Sequence, residues 1–238
     1  MDRRLAPVAI VIGTAASYSI AMLVGVSWLV PILNTVPAFP FMVASLRDGR
    51  TDEAIGRMLV WAAALAICAT TMSYLQTASA GRLFIHGEAY RREMFEFVLT
   101  GRGAEGNIRA FLPQHAAHVA VFSALALATG SMLAMPLGAV LMNYMGYYAG
   151  SLAAASAHPL RAVVLAWVPW ALIRVASFVT LGVVLAGPVL GRIFRFPYPL
   201  RDQTRWLWLA AAGLIADVFL KWLLAPWWRH LIAAAAGW

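Results

Sequence analysis

Three charged residues lie inside long apolar stretches, where a charge is costly and by default suggests a function. They are Arg174, Asp217 and Lys221. Asp217 and Lys221 are four residues apart, a spacing that places both side chains on one face of a helix. An Asp217 bridged by Arg174 and Lys221 leaves one excess positive charge. The cluster is interpreted either as an ion-pair cluster that joins two helices or as part of an anion or proton pathway. A third interpretation has Lys221 extending to the interface at Trp227-Trp228.

A second group of polar residues has types that bind metals. His115 and His118 are three residues apart, and Glu93 and Glu96 precede them. Two histidines with two carboxylates can hold a metal ion, so an enzyme would use His115, His118 and a carboxylate. The chain contains no P-loop, dinucleotide fingerprint, HExxH or GxSxG motif. We therefore predict no metal site, no cofactor and no enzymatic activity.

The elements that must position these residues are helices that cross a membrane. Hydrophobic residues make up 62% of the 238 residues, and the mean hydropathy is +0.76. A spanning helix needs about 20 mostly apolar residues. Five stretches reach the required length: 5–33, 58–80, 118–157, 162–190 and 206–228. Each of these stretches is apolar throughout, which favours helices over the alternating strands of a barrel.

Glycine and proline predict where these stretches are interrupted. The stretch 118–157 is too long for one span, and its break is expected between Gly130 and Pro136, because proline cannot donate a backbone hydrogen bond. The first helix is expected to end near Pro31. The short apolar patch 39–44 is then expected to dip into the membrane interface.

The predicted fold is an all-α, polytopic integral membrane helical bundle. It has about six transmembrane helices, with five as the alternative, the last of them ending at Pro226. Residues 1–238 form a single transmembrane domain, with an amphipathic polar connector at 81–113. The net charge of +8 comes from arginines that flank the apolar runs. We attribute it to contacts with membrane lipids and expect no nucleic-acid partner.

The polar connector contains one amphipathic helix, in which apolar side chains recur at three- and four-residue spacing beside charges. Such a helix lies on a membrane or on a partner, although a solvated connector helix is the alternative. The residues predicted to dock a partner are Tyr90, Arg91, Met94, Phe97 and Val98.

Small residues form a stripe in the stretch before His158. Asn143, Gly146, Gly150 and Ala154 follow one another at three- and four-residue spacing. Two glycines four residues apart let helix backbones approach closely, and an asparagine can form a hydrogen bond across such a contact. We interpret the stripe as a helix-packing surface.

Several segments after the connector carry a resemblance to a known family: Phe111 to His115, Met135-Pro136-Leu137-Gly138, Asn143 to Gly146, Pro169 to Arg174, Ile215-Ala216-Asp217 and Ala225-Pro226-Trp227. In these segments, the chain from Phe111 onward resembles the stage II sporulation protein M family of multispanning membrane proteins. It departs from the family at Trp170 and Arg174, where the family has polar and acidic residues, and at the additional span 58–80. The resemblance implies a scaffold or assembly role and an integral membrane protein of the cytoplasmic (inner) membrane of a bacterium.

Two non-enzymatic functions are therefore open. The first is a non-enzymatic scaffold or assembly subunit of a membrane complex, which docks other subunits through the connector. The alternative is a membrane transport subunit, either an ABC-2-like permease or a small carrier, with the buried Arg/Asp/Lys cluster on its pathway.

Overall fold

The fold consists of helices joined by short turns. A computed structural model describes residues 5–238, and this part of the chain contains helices and no strand. A short 3₁₀ turn, Leu200–Gln203, precedes the last helix. The helices are α1 (Ala6–Val24), α2 (Leu29–Thr35), α3 (Phe39–Arg47), α4 (Thr51–Leu75), α5 (Thr77–Leu83), α6 (Gly87–Thr100), α7 (Ile108–Thr129), α8 (Ala134–Ala154), α9 (Pro159–Ala166), α10 (Pro169–Phe194) and α11 (Thr204–Ala236).

Six helical segments in the described residues are long and apolar enough to cross a membrane, as predicted. One of the six differs from the expectation. The segment that contains α2 and α3, Leu29–Arg47, is long and apolar enough to be a span, and it includes the patch 39–44 that was expected to dip into the interface. The first helix also ends earlier than Pro31, since Gly25 takes a left-handed conformation at the end of α1.

Helix α8 is the one predicted span that is not among the six, and the segment Leu29–Arg47 stands in its place in the count. It has 21 residues, enough to cross the hydrocarbon core, but it is less apolar than the six. Its second half is almost entirely buried, because α4, α6 and α9 pack around it. A helix surrounded by other helices does not need a lipid-compatible surface along its whole length, which fits its lower hydropathy.

Proline and glycine set most of the other boundaries. The predicted break between Gly130 and Pro136 is confirmed, since α7 ends at Thr129 and α8 begins at Ala134. The stretch 162–190 is divided into two helices, α9 and α10, because the residue before Pro169 is held in an extended conformation. Pro226 does not end the last helix, which continues to Ala236.

Helix α6 of the connector is part of the protein's own core. Met94, Phe97 and Val98 are each at most 3% exposed and pack with residues of α8 and α11. This packing turns the loop after α6 toward the first turns of α7 and α10 and the middle of α11.

Candidate functional site

Arg174 and Asp217 form a direct ion pair between α10 and α11. The guanidinium donates from Nε to Oδ2 of Asp217 at 2.7 Å and from Nη2 to Oδ1 at 2.8 Å. Asp217 is completely buried, whereas the Arg174 side chain is 19% exposed. Two parallel hydrogen bonds of this kind are among the strongest polar contacts in proteins. The predicted contact between Arg174 and Asp217 is therefore present.

Lys221 does not share Asp217, which corrects the predicted arrangement. Its Nζ lies 2.5 Å from Oε2 of Glu105, a residue of the loop between α6 and α7. The Lys221 side chain is 2% exposed and that of Glu105 is 11% exposed. The cluster thus has two cations and two carboxylates, so the predicted excess positive charge is wrong. A charge-neutral cluster is easier to bury than one with an unpaired ion.

The aromatic ring of Phe111 lies beside both cations. Nζ of Lys221 is 3.2 Å and Cζ of Arg174 is 4.9 Å from the ring centroid. Both distances are within the range of cation–π attraction. His115, one turn further along α7, stacks on Phe111, and its Nδ1 lies 3.6 Å from Oδ2 of Asp217. Helix α7 therefore contributes a ring and an imidazole to the same site.

The loop after α6 is shaped to bring Glu105 into the bundle. Gly101 has a left-handed conformation, with φ of 77°. A Cβ atom on Gly106 would lie 2.2 Å from the carbonyl oxygen of Gly101, so this tight turn requires glycine there. The Glu105 carboxylate also accepts a hydrogen bond of 2.9 Å from the indole N–H of the completely buried Trp170.

The surroundings of Glu105 favour its ionised form. Burial by itself raises the pKa of the Glu105 carboxyl, but the charges of Lys221 and Arg174 and the hydrogen bonds from Lys221 and Trp170 outweigh it. The net result is a pKa below the ordinary value. Glu105 is therefore a carboxylate at neutral pH and a full partner for Lys221.

A cavity of about 130 Å³, here called the bundle cavity, lies beside this cluster. Its walls come mainly from α4, α6, α7, α8 and α10 and are mostly apolar. Its polar wall residues include Tyr90, Glu93, Glu105, His115, His118 and Arg174. A second space of about 290 Å³, here called the outer cleft, is lined by residues 105–109 and by part of α11 that includes Lys221 and Pro226. Glu105 lines both spaces.

The residues predicted to dock a partner lie mostly inside the protein. Met94, Phe97 and Val98 are buried against α8 and α11, so for these three residues a docking role is wrong. The sequence pattern correctly indicated an amphipathic helix, but its apolar face is covered by the chain itself. Tyr90 and Arg91 are half-buried, and Tyr90 contacts the ring of Tyr144 at 4.4 Å between centroids.

The small-residue stripe of α8 faces two different neighbours. A Cβ on Gly146 would lie 2.5 Å from Cβ of Ala69, and one on Gly150 would lie 2.4 Å from the carbonyl oxygen of Thr70, so both glycines touch α4. Asn143 faces α1 and α2. It accepts from the Tyr18 hydroxyl at 2.5 Å and donates to the Asn34 side chain at 2.9 Å. Ala154 is exposed and lies outside the contact.

The histidines and glutamates that could have bound a metal ion have different contacts in the structure. His115 belongs to the ion-pair cluster, and His118 lies further along the wall of the bundle cavity. Glu93 accepts a hydrogen bond from the backbone N–H of Ala104. Among residues 5–238, no three His, Cys, Asp or Glu side chains form a group that could hold one metal ion.

Sequence reasoning missed Glu105 and Trp170. A signal for Glu105 was available, since the predicted excess positive charge required a carboxylate, and the connector contains four glutamates, Glu88, Glu93, Glu96 and Glu105. Nothing in the sequence distinguishes among these four, because the choice depends on how the loop folds back. Trp170 carried no signal beyond its position near Arg174.

Comparisons with known protein families, with curated proteins and with solved structures found no match. The resemblance to the stage II sporulation protein M family stays a prediction.

Proposed function

We propose that this protein is a membrane transport subunit whose pathway includes the bundle cavity and the ion-pair cluster. The observation that supports this proposal is that Arg174 and Glu105 both line the bundle cavity and are held there by the buried Asp217 and Lys221. Charged residues among membrane helices usually face the bundle interior or a water-filled cavity, and they often mark a substrate or ion pathway. A purely structural ion pair does not require a cavity beside it. The expected location is the cytoplasmic membrane of a bacterium.

The position of Glu105 supports a path between the two spaces. Because Glu105 lines both the outer cleft and the bundle cavity, a solute that moves between them passes the Glu105–Lys221 pair. The interruption between α9 and α10 at Pro169 lies beside the same cluster. Transporters often have such discontinuous helices next to their substrate sites. When Glu105 and Lys221 are in contact, this ion pair can block passage between the bundle cavity and the outer cleft.

Cysteine accessibility tests this proposal without knowledge of the substrate. The single natural cysteine, Cys68, is first replaced by alanine, and Val179→Cys is introduced in the wall of the bundle cavity. Leu172→Cys on the same helix is the control, since Leu172 is 52% exposed on the outside of the bundle. We expect a membrane-impermeant maleimide to label Val179→Cys from both sides of oriented vesicles and Leu172→Cys from neither.

Labelling of Val179→Cys from one side only, or from neither side, would overturn the transport proposal. If the labelling supports transport, the composition of the complex distinguishes a permease from a self-contained carrier. After mild extraction from the native membrane, native mass spectrometry is expected to find a nucleotide-binding ATPase if the protein is a permease. A monomer or homodimer is expected if the protein is a self-contained carrier.

The scaffold role stays a second prediction, and the structure changes how it must be tested. Deletion of residues 87–101 would remove part of the protein's own core and would not distinguish docking from folding. Substitution of exposed residues of α6, such as Arg92 and Glu96, leaves the core in place. If the protein is a scaffold, we expect Arg92→Ala with Glu96→Ala to release a partner that is otherwise recovered at fixed stoichiometry.

A further inference from the structure

The charges in the wall of the bundle cavity leave one carboxylate uncompensated. Arg174 is neutralised by Asp217, and Glu105 is neutralised by Lys221. Glu93 is an exposed residue that also lines the cavity, and within residues 5–238 no lysine or arginine lies at ion-pair distance from it. With both wall histidines counted as neutral, the wall has a net charge of −1. This end of the cavity therefore favours a positive ligand over a negative one.

Aromatic rings accompany this carboxylate. Tyr90 and Tyr144 line the cavity near Glu93, with their ring centroids 4.4 Å apart. Aromatic faces attract ammonium groups, and quaternary ammonium ligands are commonly held by several such rings. A carboxylate beside two tyrosine rings is therefore well suited to an organic cation. A small inorganic cation would gain less, because it would have to give up its water for mostly apolar walls.

The rest of the cavity suits an apolar body of limited size. Its walls include Phe122, Phe178, Met135 and Met142. Methionine side chains adapt their shape to different ligands. The volume of about 130 Å³ is close to the roughly 150 Å³ of an engineered protein cavity that binds benzene. The ligand body should therefore be about the size of one aromatic ring.

We propose that the bundle cavity binds a small organic cation with an apolar body about the size of a benzene ring. Its charged end lies at Glu93, Tyr90 and Tyr144, and its apolar end lies against Phe122 and Phe178, whose rings contact each other. This inference rests on the proposed function, for which it names the class of substrate. It does not assign catalysis to any residue.

Three probes of similar size and different charge test the proposal. Phenyltrimethylammonium has a permanent positive charge, tert-butylbenzene is its neutral isostere, and benzoate is negative. Binding to the purified full-length protein in lipid nanodiscs is measured by calorimetry or by equilibrium dialysis. We expect phenyltrimethylammonium to bind more tightly than tert-butylbenzene by about fivefold to tenfold, and benzoate to bind most weakly.

A matched pair of variants identifies the carboxylate. Glu93→Gln removes the charge but keeps an oxygen that can accept the hydrogen bond from Ala104. Glu96→Gln changes a glutamate of the same helix that is also exposed but does not line the cavity. We expect Glu93→Gln to weaken phenyltrimethylammonium binding by about fivefold and to leave tert-butylbenzene binding unchanged. Glu96→Gln should change neither.

Several results would overturn the proposal. They are tighter binding of benzoate, which would indicate an anion held by Arg174; equal binding of the cation and its neutral isostere; no binding of the cation; or equal effects of the two glutamate variants. Because these measurements need no transport, they can fail while the cysteine labelling of Val179→Cys succeeds. Likewise, cation binding without labelling from both sides would retain the ligand site and reject transport.

Discussion

Replacement of Asp217 by leucine should strongly destabilise the protein, because it leaves Arg174 without its carboxylate. Removal of one partner of a buried ion pair typically costs about 3–5 kcal/mol. Asp217 is completely buried and both of its oxygens are bound, which favours the upper part of this range. Arg174 is 19% exposed and lies over Phe111, which lowers the cost. We therefore expect a loss of about 3–4 kcal/mol in the free energy of unfolding.

The double variant Arg174→Met with Asp217→Leu should recover most of this stability. Apolar pairs of similar volume often replace buried ion pairs with little or no loss, so we expect a cost of about 1 kcal/mol or less. The assay is reversible unfolding in mixed micelles, followed by tryptophan fluorescence and circular dichroism. Arg91→Met is the control, because Arg91 and Glu88 are 32% and 46% exposed, and such pairs contribute at most about 1 kcal/mol.

Two outcomes would refute this reasoning about the ion pair. One is an Asp217→Leu variant within about 1 kcal/mol of the natural protein, which would mean that Arg174 tolerates the loss of its partner. The other is a double variant whose loss equals the sum of the single losses, which would mean that the residues do not interact. A stable double variant also separates folding from function, because transport can then be measured without the ion pair.

Three further predictions concern other parts of the structure. Gly150→Ala should cost about 1–3 kcal/mol in unfolding free energy, because the added Cβ would lie 2.4 Å from the Thr70 carbonyl oxygen. The control, Ala154→Leu at an exposed position of the same helix, should change the unfolding free energy by less than about 0.5 kcal/mol. Asn143→Leu should cost about 1–3 kcal/mol in the same assay, since Tyr18 and the buried Asn34 both lose a hydrogen-bond partner. Asn143→Gln tests whether another side-chain amide restores this stability. Glu105 has a lowered pKa in the folded protein, so its stabilising contribution is complete above the ordinary value of 4.5 and is lost as the pH falls through the lowered pKa. The difference in unfolding free energy between the natural protein and Glu105→Gln should therefore be largest near neutral pH and shrink below pH 4.5, and a difference that grows on acidification would contradict the assigned ionisation.

In the structure, the connector contributes to the protein's own core and site, whereas its sequence pattern indicated a surface that docks a partner. Helix α6 belongs to the bundle, and its following loop supplies Glu105 to the ion-pair cluster and Ala104 to the wall of the bundle cavity. A mutation in this loop should therefore affect the site directly. A partner protein, if one binds here, contacts the exposed side of α6.

The sequence by itself determined the class of the fold and most of its breaks. Long apolar stretches must form helices in a membrane, because their backbone groups have no water to bind. Gly130 and Pro136 marked the turn between α7 and α8 for local steric reasons. The sequence also identified Arg174, Asp217 and Lys221 as residues that need partners, since a charge among membrane helices is costly wherever it lies.

Only the tertiary structure decided which partners those charges have. Lys221 is four residues from Asp217, yet it pairs with Glu105, which is 116 residues away in the chain. This pairing depends on the fold-back of the loop at Gly101 and Gly106, which local sequence does not determine. In the same way, an amphipathic pattern shows that one face of α6 must be covered but does not identify what covers it. Packing of the whole chain supplies that information, because burial is a property of distant segments that meet in space.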